Sequence, residues 1–100
     1  MPGFNVSVKH ALPQGEACIR MKRLLEQMKS EYADNISDIT ESWDGGKCRF
    51  HFKMMGLSIS GEIDVESGDV RISGELPFTA MLFKGQIESI ISQKALLLLA

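Results

Sequence analysis

The sequence predicts an α+β domain of order β-α-β-β-β-β-α, an antiparallel meander sheet with helices packed on one face. Two observations carry that prediction. From Lys47 to Leu76 polar and apolar residues alternate almost without error between glycine turns, the two-residue period of strands buried on one side. Apolar residues recur at helical spacing both before and after this stretch, so long amphipathic helices frame the sheet.

Phe4, Val6 and Val8 alternate with Asn5 and Ser7, which predicts a short first strand. Pairing beside either edge of the meander fits it. Pro13 is read as the N1 residue of a helix over about residues 13–34. Ala17, Cys18, Met21, Leu24, Leu25, Met28 and Tyr32 make its apolar stripe, and Asp34-Asn35 favour a turn at its end. Met21 and Met28 read as core filling rather than an adaptable binding surface.

Tight turns fix the strand register. A two-residue turn at Gly45-Gly46 sets Trp43 against Cys48 and Ile39 against Phe52. A turn at Met55-Gly56 sets Met54 against Leu57, Phe52 against Ile59, Phe50 against Gly61 and Cys48 against Ile63. A turn at Ser67-Gly68 sets Val65 against Val70, Ile63 against Ile72, Gly61 against Gly74 and Ile59 against Leu76. Apolar residues then share one face, while Arg49 meets Glu62, and Asp64 meets Lys47 and Arg71, on the other. Pro77 ends the last strand and opens a second helix in which Ala80, Phe83, Ile87, Ile90, Ile91, Ala95 and Leu98 repeat at helical spacing. Lys84-Gly85 within it predicts a kink or a close helix crossing.

One hundred residues is about the modal size of a domain, so residues 1–100 are expected to form a single one. The net charge of −2 divides into +3 over residues 1–30, −6 over 31–75 and +1 over 76–100. That imbalance lacks the concentrated basic face of a nucleic-acid protein. The start Met-Pro-Gly-Phe-Asn-Val has neither a basic n-region nor an apolar h-region, and the expectation is a cytoplasmic protein. Cys18 and Cys48 fall on apolar faces and read as reduced, buried thiols. His10 and His51 have no second ligand at a recurring separation, so neither a metal nor a cofactor is expected. Gly45-Gly46 precedes a strand, whereas a phosphate-binding loop would open a helix.

Two inward-facing features bear on function. Phe50, Gly61 and Gly74 line up across three strands and bare the backbone. Glycine placed so in strands usually serves curvature or close approach, and the functional alternative is a hollow under the last helix. Glu41 falls between Ile39 and Trp43 on the same face, where burial would raise its pKa as in a general acid or polar anchor. On an edge strand it would instead reach solvent. No Ser/His/Asp, Cys/His or paired-carboxylate arrangement assembles around it from spacing.

His10-Ala11-Leu12, Glu16-Ala17, Trp43-Asp44-Gly45, Phe50 and Phe52, Gly61-Glu62-Ile63 and Lys84-Gly85-Gln86-Ile87-Glu88, in this order and spacing, resemble the polyhydroxyalkanoic acid system family over nearly the full chain. These are turn and core motifs without a catalytic signature. The resemblance implies a small bacterial cytosolic protein linked to polyhydroxyalkanoate storage granules. The chain departs from the family pattern at Leu96–Ala100, where mixed polar residues are usual.

The function expected is therefore that of a non-enzymatic accessory or binding protein acting at the granule surface or on granule-coat proteins. Phe78, Leu82, Phe83, Leu96, Leu97 and Leu99 are the candidate contacts, as on amphipathic helices that lie on lipid. The same leucines could equally bury a homodimer interface. The alternative is a small carrier that holds a hydrophobic acyl ligand between the last helix and a curved sheet, beside Glu41, Trp43, Phe50, Gly61 and Gly74. It requires a pocket of about 300 Å³ or more. A hydrolase would need a carboxylate, a water and an oxyanion site together, which the sequence does not display. No transmembrane segment is expected, because four leucines fall far short of the roughly 20 apolar residues of a span.

Overall fold

A computed structural model describes residues 3–54 and 56–100, with the Phe78 side chain also outside the description. The elements are β1 (Gly3–Lys9), α1 (Gln14–Glu31), β2 (Ile36–Asp44), β3 (Lys47–Met54), β4 (Leu57–Val65), β5 (Asp69–Glu75), a 3₁₀ segment (Phe78–Phe83) and α2 (Lys84–Leu99). The strands form one antiparallel sheet in the order β1-β5-β4-β3-β2. Both helices cover one face of it, and the predicted α+β architecture is the observed one.

The first strand, which the sequence could place at either edge, pairs with β5, setting Phe4 against Gly74 and Val6 against Ile72. The hairpin registers hold: Trp43 faces Cys48, Phe50 faces Gly61, Met54 faces Leu57, Gly61 faces Gly74 and Val65 faces Val70. Gly45 has φ 61° at the first turn position, the side of backbone space that a two-residue hairpin demands and that glycine enters freely. Met55 of the next turn lies outside the described residues.

Two register expectations need correction. Ile39 does not pair simply with Phe52, because the ladder shifts between Ser37 and Thr40. Asp38, at φ 54°, forms a bulge there, and aspartate tolerates that conformation better than most side chains. Ile59 has no ladder partner in Leu76, since β5 ends at Glu75 and the pairing stops at Ser60 against Glu75. Of the outward charge pairs, Arg49 and Glu62 approach to 3.4 Å, whereas Arg71 turns to Asp69 within its own strand.

The helices also start and stop differently from the periodicity. Pro13 is extended (φ −61°, ψ 154°) and caps α1 from outside the helix, and Tyr32 closes it through an N–H bond to the Met28 carbonyl. Ala17, Met21 and Leu24 are buried beneath it. Pro77 likewise stays extended and leads into the 3₁₀ turns, so Lys84-Gly85 sits where 3₁₀ gives way to α rather than inside one helix. Gly85 marks no close crossing, for a side chain there would meet nothing within 4 Å.

At the sheet's centre the glycines are roofed by aromatic rings. A Cβ on Gly61 would lie 2.7 Å from the Phe50 ring and 2.3 Å from the Ser73 carbonyl oxygen. A Cβ on Gly74 would lie 2.4 Å from the Phe4 ring and 2.6 Å from the Ser60 carbonyl oxygen. Backbone cannot step aside as a long side chain can, so both positions require glycine. Gly61→Ala and Gly74→Ala are each expected to destabilise the protein by about 1–3 kcal/mol, seen as a lower denaturation midpoint with an unchanged slope.

Candidate functional site

The space between helices and sheet is filled. The Phe50–Gly61–Gly74 row continues to Phe4 on β1, and Leu24, Leu25, Met28, Ile87 and Ile91 close over the rings. The apolar, partly open pockets between these helices and the sheet hold only about 50 and 80 Å³, well below the roughly 300 Å³ of a small-molecule site. The alternative reading of a hollow under the last helix is therefore not met among the described residues, because the two rings lie over the glycines. An open depression of about 500 Å³ lies instead on the outer face, where Arg49, Ser60, Glu62, Ser73 and Glu75 surround the glycines. Alternation tells which way a side chain points, but not which way the bare backbone dishes.

Glu41 stands on the edge strand β2, facing α1. Its Oε1 takes a hydrogen bond from Lys29 Nζ and its Oε2 one from Trp43 Nε1, both at 3.0 Å. Lys22 Nζ lies 5.4 Å from the centre of the Trp43 ring, a cation–π contact. Burial acts to raise the Glu41 pKa, but the bonds from Trp43 and Lys29 and the charges of Lys29 and Lys22 outweigh it and hold the carboxyl below its ordinary value. This corrects the raised pKa that an inward carboxylate suggested, since its partners come from α1 and were not visible in the strand pattern. A carboxylate so held is ill suited to give up a proton as a general acid. Glu41 also adds to the burial that pushes the Cys48 thiol up to about 11. Cys48 is buried and Cys18 half-buried, both as free thiols.

The remaining candidates belong to the 3₁₀ segment and α2. Leu82 is 91% exposed and Leu97 79%, with Phe83 and Leu96 more than half exposed. Between them on the solvent side stand Gly85, Gln86, Ser89 and Gln93, so this ridge is apolar at its ends and carries no charge along its length. Leu99 does not belong to it. It is buried at 4% exposure beside Ala95 in the core, which corrects its reading as a surface contact: the helix turns that side of the leucine tail inward. Phe78 lies outside the described side chains.

Polar groups that sequence reasoning missed hold α2 in this orientation. Glu88 Oε2 accepts the Asn5 backbone N–H at 2.8 Å, Lys94 pairs with Glu31, and Arg20 Nη1 donates to the Leu98 carbonyl at 2.8 Å. Arg20 thus satisfies one of the carbonyls that a helix C-terminus leaves unpaired. The only sequence signal for it was its four-residue spacing from Glu16, with which it forms an ion pair at 3.0 Å. No described helix is long and apolar enough to cross a membrane.

Fold and site together define a small two-layer α+β protein with an uncharged apolar helix ridge. The chain matches the family model described as "Putative polyhydroxyalkanoic acid system protein" over residues 4–99 and belongs to that family. This links it to the polyhydroxyalkanoic acid storage system. None of the curated proteins matches it.

A carboxylate whose pKa is lowered in the folded state stabilises the protein fully above its unfolded-state pKa and loses that contribution as pH falls through the folded-state value. Glu41→Gln is therefore expected to cost about 0.5–1 kcal/mol at neutral pH and to flatten the loss of stability on acidification. Denaturation midpoints measured across the acid range check both.

Proposed function

We propose that the protein is a non-enzymatic accessory of the polyhydroxyalkanoate storage granule, docking on the granule surface through the outer ridge of the 3₁₀ segment and α2. The observation that carries this reading is the exposed, uncharged character of the ridge, with Leu82 and Leu97 at its two ends. Burying such side chains against an oil-like phase is favourable by roughly 1.5–3 kcal/mol for each one fully covered. Gln86, Ser89 and Gln93 add hydrogen-bond donors that ester carbonyls can accept. Family membership supplies the storage system, and the ridge supplies a surface that suits a polyester.

Cosedimentation with purified polyhydroxybutyrate particles tests the docking. Leu82→Gln combined with Leu97→Gln should weaken binding at least about tenfold, the equivalent of 1.4 kcal/mol, while circular dichroism and melting stay unchanged. Because no charge lies on the ridge, binding should persist when salt shortens the screening length to about 3 Å at 1 M. Undiminished binding of the double variant rules out the ridge as the contact. Truncation at residue 95 would be a poorer test, for it also removes the buried Ala95 and Leu99.

A further inference from the structure

The two edges of the sheet are treated differently. At β1 the outward Asn5 N–H is bonded to Glu88, and α2 packs along the strand. At β2 no element of the described chain pairs with the outer side. Asp44 and Lys47 flank a two-residue turn, which makes them a hydrogen-bonded pair, as are Ser42 with Arg49 and Thr40 with His51 by alternation. The N–H and C=O groups of Glu41 and Trp43 consequently point outward from the sheet edge, and beside that edge lies an open groove of about 460 Å³ lined by Ile19, Lys22, Arg23, Glu26, Glu41 and Trp43.

We propose that this edge pairs with the same edge of a second copy, antiparallel about a two-fold axis through Ser42, to make one continuous sheet from both chains. Centred there, Glu41 of each chain faces Trp43 of the other, and the outward backbone groups of both residues satisfy one another in four hydrogen bonds. A centre one residue earlier would set Glu41 directly against Glu41, a like-charge pair that disfavours it.

The flanking helix has the matching charge order. Lys22 stands over Trp43, while Glu26 shares Lys29 with Glu41. The two-fold that brings Trp43 opposite Glu41 therefore brings the Lys22 end of one α1 toward the Glu26 end of the other. It also covers Ile19, 47% exposed in the single chain. Assembly stops at two, because the Asp38 bulge ends the flat part of the β2 edge and α2 closes the β1 edge. The pairing is independent of the granule contact, which uses the other side of the molecule.

Ser42 is exposed and sits on the axis, where Cα atoms in a non-bonded antiparallel pair lie about 4.5 Å apart, within reach of a disulfide. Ser42→Cys should give a covalent dimer under mild oxidation, whereas wild type, with its native Cys18 and Cys48, and Ser73→Cys on a central strand should not. In sedimentation the wild type should run as a dimer and Ser42→Asp should dissociate at least about tenfold more readily, from like charges on the axis. A wild type that stays monomeric at about 100 μM, where micromolar association would be saturated, overturns the proposal. A dimer that survives Ser42→Asp but is broken by Leu97→Lys overturns it equally, since the contact would then run through α2.

Discussion

Two phenylalanine rings resting on two glycines set the shape of everything around them. Phe4, Gly74, Gly61 and Phe50 stand in register on four successive strands, β1, β5, β4 and β3. Each ring lies where its glycine's Cβ would be, and carbonyls of the neighbouring strands crowd the same points. Ile87 and Ile91 of α2 and Leu24 of α1 pack with both rings around one small apolar pocket. A closed interior on one side and an open polar depression on the other follow from the same four residues.

The orientation of α2 depends on that floor and on three charged side chains. Glu88 and Lys94 are drawn to the Asn5 backbone and to Glu31, and Arg20 of α1 reaches up to the helix end. Glu88 and Lys94 are thereby engaged along the flanks of the helix, off its ridge. Polar anchoring and a neutral exterior are thus one arrangement seen from two sides.

Most of the sheet was legible because turn length sets register and period two sets the face. The Asp38 bulge was not, since it rests on one residue adopting positive φ within an otherwise regular strand. Phe4 was recognised as a strand residue, yet its place over Gly74 depended on which edge β1 joins, a tertiary choice that alternation does not encode. Leu96–Leu99 read as apolar all round because four consecutive leucines cover a whole helical turn. Only packing decides that Leu99 goes in while Leu97 stays out. Glu41 stood out in the strand pattern as an inward carboxylate, but its ionisation is governed by Lys29 and Trp43, and the lysine comes from another element.

The outward positions of the strands, among them Ser7, Thr40, Ser42, Arg49, His51, Ser60, Glu62, Arg71 and Ser73, include no large apolar side chain. The helix layer on the opposite side carries the neutral leucine ridge. With the ridge docked as proposed, the polar strand face and the charged outer side of α1, where Lys22, Arg23 and Glu26 are exposed, would stay in water while the leucines enter the polymer. A coat of such molecules would lower the interfacial tension and oppose coalescence of the droplets, a colloidal role that requires neither a binding pocket nor a reaction.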